Sequence, residues 1–203
     1  SDDSVVVKDG IKDLDFGIDM GGWQGYIVDI FDNADGTTSV KIEWDSLTLK
    51  KMPENTFIES EFNGYDWCVY NLHVTDVTRA EPRDTLDDIE EIQASIYRRY
   101  GWVSIGDTKE QGLLIQNVVN SANGDSEMET FKAWKIYLEA NLQFPYRAEV
   151  YESQHPASNI RQGDFLRVRG LVNDIDDMYG IIAKVQQGRS KFQKPFEKSF
   201  KRL

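Results

Sequence analysis

The stretch GYIVDIFDNADGTTSVKIEW, residues 25–44, decides the reading of the fold. β-Branched and aromatic residues fill both of its ends. Asn33-Ala34-Asp35-Gly36 between them reads as a hairpin loop, because Asn, Asp and Gly accept the backbone conformations of a tight reversal. Working outward, SVVV at 4–7 and DWCVYNLHV at 66–74 show the same period of about two. Four or five short antiparallel strands within residues 1–80 predict a small SH3-like barrel.

Beyond residue 80 the period changes. Asp84 or Thr85 is placed to cap a helix whose apolar positions Leu86, Ile89, Ile92, Ile96, Tyr97 and Tyr100 follow three-and-four spacing. Its acids lie toward the N-terminal end and Arg98 and Arg99 toward the other, as the helix dipole prefers. A second helix is predicted over Asp107 to Asn120, with Gly112 as an unfavourable interior residue. A third begins at the capping-box pattern Ser126-Glu127-Met128-Glu129 and is stopped by Phe144-Pro145.

Strand patterns then return at 147–152, 164–172, 179–185 and 191–196. The expected architecture is therefore α+β: an SH3-like barrel at 1–80, a helical segment at 84–142 and a second SH3-like barrel at 143–203. A faint internal repeat, residues 19–28 over 176–183, suggests that the acidic loop before Ile27 corresponds to the one before Ile182.

The formal net charge of −12 disfavours phosphate backbones and favours cations or basic partners, so nucleic acid is not an expected partner. The charge is uneven: seven Lys or Arg residues lie between Lys184 and Leu203, against the single acid Glu197. One cysteine, Cys68, leaves no internal disulfide, and the start SDDSVVVKDG has no basic and apolar leader, so the expected setting is the cytoplasm. No apolar run reaches the roughly 20 residues a membrane crossing needs. His73 and His155 are the two histidines, and no metalloprotease, nucleophile-elbow or Walker pattern occurs; the chain is expected not to be an enzyme.

Calcium needs about six to eight oxygen ligands, which directs attention to acidic loops. Asn173-Asp174-Ile175-Asp176-Asp177 is one, with Asp174 and Asp176 spaced to point the same way in an extended chain. A second runs from Lys12 to Asp19 and carries Asp13, Asp15 and Asp19. Asn33 and Asp35-Gly36 mimic part of an EF-hand loop, but Phe31 and Ile42 stand where its first and last carboxylates belong. A rival reading is a protein-interaction module, with Trp23, Tyr26 and Trp44 lining an aromatic groove for a protein partner.

Several spaced motifs carry a family resemblance. They are Trp134–Glu139, Leu142-Gln143-Phe144-Pro145-Tyr146-Arg147-Ala148-Glu149-Val150, Arg161-Gln162-Gly163-Asp164 with the strand after it, the acidic loop 173–177, Tyr179-Gly180, and Gly188 to Phe196. Together, over about 128–203, they resemble the cyanobacterial calcium-binding proteins of the CcbP family. The resemblance implies a small β-barrel domain that binds Ca²⁺ through surface acids and serves as an intracellular ion buffer or sensor. By position it implies Asp174, Asp176 and Asp177 as ligands, with Glu149, Glu152 and Asp164 nearby.

Overall fold

A computed structural model describes residues 3–151, 160–188, 190–195 and 200–202. The chain forms two compact units, residues 1–116 and 117–203. The boundary between them falls inside the helical segment expected at 84–142.

In the first unit, β1 (Ser4–Val7), β2 (Gln24–Asp32), β3 (Thr38–Trp44), β4 (Val69–His73) and β5 (Val77–Ala80) form an antiparallel sheet in the order β4-β3-β2-β1-β5. The predicted hairpin joins β2 to β3. Asn33 N donates to Thr37 O at 2.7 Å, and the Asp35 carboxylate accepts from both the Thr37 amide and hydroxyl. Two short helices that the strand pattern did not reveal, α1 (Ser46–Lys51) and α2 (Glu54–Asn63), lie between β3 and β4. Asp45 caps α1 by accepting from Thr48 N at 2.7 Å, and Pro53 stands at the N-cap of α2.

The helix α3 (Leu86–Tyr100) starts at Thr85, as expected, in a reciprocal capping box with Asp88. Ile89 and Tyr100 are buried on its inner face, with Ile92 and Ile96 half-buried beside them, whereas Leu86 and Tyr97 are largely exposed rather than buried. Phe57 of α2 stacks on Tyr100 and meets Trp67 edge-on, at 5.5 Å and 5.4 Å between ring centres. The helix α4 (Lys109–Asn120) tolerates Gly112 for a steric reason: a Cβ there would lie 2.1 Å from Val103 O in the 3₁₀ turn Gly101–Ile105. Close approach of the two backbones offsets the helix-propensity cost.

In the second unit, α5 (Glu127–Asn141) starts at Ser126, whose hydroxyl accepts from Glu129 N. The strands β6 (Tyr146–Val150), β7 (Phe165–Leu171), β8 (Ile182–Gln187), β9 (Ser190–Pro195) and β10 (Phe200–Arg202) form the sheet β10-β6-β7-β8-β9. Both sheets therefore share one plan, a four-strand antiparallel meander with a fifth strand returning beside the first.

Among the described residues each sheet is open, so the α+β class holds and the SH3-like barrels expected at 1–80 and 143–203 are not shown. In each five-stranded sheet, helix residues pack into the core beside those of the strands. In the first unit Leu49, Phe57 and Ile89 pack into the core with Val40, Ile42 and Trp44. In the second, Phe131, Trp134 and Leu138 of α5 pack against Ala148, Leu166, Val168 and Val185. The shared plan also corrects the repeat alignment, because residues 19–28 lead into the second strand of their sheet and 176–183 into the third of theirs. The first acidic loop corresponds instead to the β6–β7 connection.

A buried polar node ties the first unit together. Asp45, 1 % exposed, accepts from Arg83 Nε at 2.8 Å and Nη2 at 2.9 Å, while Thr48 Oγ1 donates to Gln24 O at 2.9 Å. Removing one partner of such a pair leaves a buried charge without compensation, so Arg83→Met is expected to lower the unfolding free energy by about 3 kcal/mol. Urea titration followed by tryptophan fluorescence measures this. Adding Asp45→Asn, which keeps the cap acceptor without its charge, should recover part of the loss.

Candidate functional site

The β7–β8 connection, residues 172–181, holds three of the expected ligands. It is a folded turn rather than an extended segment, closed by reciprocal bonds in which Asp176 N donates to Gly180 O at 2.9 Å and Gly180 N donates back at 2.8 Å. Asp176 Oδ1 accepts from the amides of Met178 and Tyr179, both at 2.9 Å, which leaves Oδ2 outside those bonds. Asp174 and Asp177 are exposed, as are Met178 and Tyr179 at the tip. Gly180 is required at the end of the turn: its φ is +65°, and a Cβ would meet the Phe131 ring at 3.0 Å. The loop is thereby fixed against α5.

Asp174 does not share one extended face with Asp176. With Asn173 and Ile175 it lines a hollow of about 420 Å³, whose other wall is Met128, Lys132, Lys135 and Ile136 of α5. Each lysine has its own carboxylate: Lys132 pairs with Glu129 and Lys135 with Glu139, at 2.5 and 2.9 Å. These pairings moderate the repulsion that two ammonium groups would exert on a cation at Asp174. Spacing along the chain carried no sign of this helix wall.

The remaining expected ligands lie elsewhere. Asp164 precedes β7, so the strand's seven residues, roughly 20 Å of extended chain, separate it from the 173–177 turn. Its carboxylate is used structurally, accepting from Arg161 N at 2.8 Å and Gln187 Nε2 at 3.0 Å. Glu149 is half-buried on β6 opposite Phe165, and Glu152 lies outside the described residues. Asp164 is therefore not brought to the 173–177 turn. Among the described residues, no three of His, Cys, Asp and Glu form a group suited to a metal ion.

In the first unit, the acids of the Lys12–Asp19 loop shape their own turn. Asp13, 8 % exposed, accepts through Oδ1 from Asp15 N at 2.8 Å and Phe16 N at 2.6 Å, and Asp19 accepts from Gly21 N. Asp15 is exposed.

None of the expected groove residues Trp23, Tyr26 and Trp44 is exposed, although Trp23 and Trp44 line a narrow hollow with Tyr65 and Trp67. Trp44 is 2 % exposed and sits in the core; Trp23 is half-buried against it, edge-on at 5.4 Å; the Tyr26 hydroxyl donates to Asp84. Burial outcompetes display because Trp44 faces the layer formed by α1 and α2. A different hollow, about 450 Å³, lies along the edge strand β4, lined by Ile11, Leu14, Tyr70, Leu72 and His73 among others. Burial and nearby carboxylates push the Cys68 thiol up to about 12.

Comparison with curated proteins and with solved structures gives no match. A family model described as calcium binding, that of the CcbP type, matches residues 114–199. That span contains α5, the turn at 173–177 and the described strands β6 to β9. The resemblance carried by the short motifs is thus independently found, and the second unit is similar to the CcbP-type calcium-binding family.

Proposed function

We propose that this chain binds Ca²⁺ through its second unit and acts as an ion buffer in the cytoplasm. The observation that carries the reading is the match of residues 114–199 to a calcium-binding family. Within that span the Asn173–Asp177 turn is the best nucleus for a site. Asp174, Asp177 and the second oxygen of Asp176 supply charge, and neighbouring carbonyls and water complete the shell. Such an exposed turn, with few preorganised protein ligands, suits a Kd of about 10⁻⁴–10⁻³ M. The turn is already closed by its own backbone bonds, which favours buffering over sensing.

Calcium in excess is expected to raise the unfolding midpoint relative to chelator, with Mg²⁺ giving little shift. Ligand at 100 times its Kd stabilises by about 2.7 kcal/mol. The double change Asp174→Asn, Asp176→Asn should remove the shift without unfolding the turn, because an asparagine side chain in place of Asp176 keeps the acceptor used by Met178 and Tyr179. Scanning calorimetry with each ion is the measurement. An unaltered Ca²⁺ shift in the double variant would place the ion elsewhere.

The chain acts in this reading as a binder rather than a catalyst. With its pKa raised to about 12, Cys68 stays protonated at neutral pH and is a poor nucleophile. Reaction of the native chain with a disulfide reagent should accordingly be slow at pH 8 and become fast on denaturation; rapid native-state labelling would argue against it.

One observation favours a second reading, a docking site for a protein partner on the first unit. Strand β4 is an edge of its sheet, and the hollow beside it carries Leu14 at 92 % exposure. An extended peptide could add to this edge and place an apolar side chain against Leu14 and Tyr70. Peptides selected by the full chain should lose binding to Leu14→Glu, whereas a library yielding no Leu14-dependent binder would dismiss this reading.

A further inference from the structure

The charge that argues against polyanions is confined to one unit. Residues 1–116 contain 24 Asp and Glu against 10 Lys and Arg, whereas residues 117–203 contain 11 against 13. Strand alternation then concentrates the second unit's bases. On β6 to β8, Ala148, Val150, Leu166, Val168, Ala183 and Val185 are buried, which turns Arg147, Phe165, Arg167, Arg169 and Lys184 to the opposite, exposed face.

The arrangement on that face is unusual for a surface that meets only water. Arg147 and Arg167 are direct cross-strand partners, so two guanidinium groups project side by side where like charges destabilise a sheet. Among the described residues the side chains of Arg167 and Lys184 have neither a hydrogen bond nor an ion pair, and Arg169 is held by Gln186 Oε1 at 2.7 Å. Phe165 is 46 % exposed, with the Arg147 guanidinium 4.0 Å from its ring centre. Arg147, Arg167, Phe165 and Gln186 line a shallow hollow of about 390 Å³.

We propose that this face binds single-stranded nucleic acid. Phosphates would lie between Arg147 and Arg167 and relieve their repulsion, while a base stacks at Phe165. Charge complementarity selects a polyanion. The aromatic ring exposed among the bases selects a nucleic acid over an acidic peptide, since stacking rewards a planar base and offers little to a carboxylate side chain. A duplex would bury its bases and leave Phe165 unused.

The test is fluorescence anisotropy of the full chain with labelled oligo-U and oligo-dT strands of about 12 nucleotides, within the footprint of small single-strand-binding folds. At about 50 mM salt, binding is expected in the micromolar range and should weaken steeply as salt rises. Arg147→Gln with Arg167→Gln should weaken it at least about tenfold and flatten the salt dependence by one to two units of slope, while unfolding stays cooperative. Phe165→Leu should cost about tenfold for the oligonucleotides and nothing for polyglutamate. Glu149→Gln, which removes an acid from the same strand, should tighten binding. Lack of binding to either strand up to about 100 µM chain overturns the proposal. So does binding that ignores the arginine changes, or polyglutamate competing equally with no effect of Phe165→Leu, which would assign the face to an acidic polypeptide.

Discussion

The carboxylate of Asp45 links three separate parts of the first unit at once. It follows β3, caps α1 and holds the guanidinium of Arg83, which arrives 38 residues later in the segment after β5. At 1 % exposure it is cut off from water, and that guanidinium is its compensating partner. The next residue, Asp84, extends the link by accepting from the Ser46 amide and the Tyr26 hydroxyl. These bonds anchor the segment that leads from the sheet to α3, whose Ile89 and Tyr100 enter the core.

The second unit reaches a similar architecture without a comparable ionic centre among its described residues. Its sheet is covered by aromatic side chains of α5, and the contact between Phe131 and Gly180 sets the helix beside the acidic turn. The two faces of this one sheet thus have different chemistry. One face and the turn near it combine apolar packing with carboxylates; the other displays arginines around a single aromatic ring. A net charge taken over the whole chain conceals both.

Much of the fold was legible because local signals and burial agreed. Thr85 and Ser126 start their helices where the capping patterns put them, and the Asn33–Gly36 hairpin lies where its residues demand. The short helices α1 and α2 escaped because six and ten residues give too little periodicity, and their markers, Asp45 and Pro53, read equally well as turn residues. The candidate site was only half legible. Composition pointed to the 173–177 turn, but no spacing rule could separate it from Asp164 by the length of a strand, or place Lys132 and Lys135 opposite Asp174. The alternation of Phe165, Arg167 and Arg169 was visible, yet the pairing of Arg147 with Arg167 is a tertiary fact.

The shared strand order has a kinetic meaning. In each sheet the strand made first is enclosed by the strand made last: Ser4 pairs with Ala80, and Ala148 with Arg202. During synthesis the first sheet can be completed only after residue 80 has cleared the ribosome, and until then β1 has a free edge. Closure over such sequence separations is slow compared with hairpin formation, so the β2–β3 hairpin should form early and wait for its flanks. The exposed interval is when chaperones have most to protect, and for the second sheet it lasts until the last described strand has been translated.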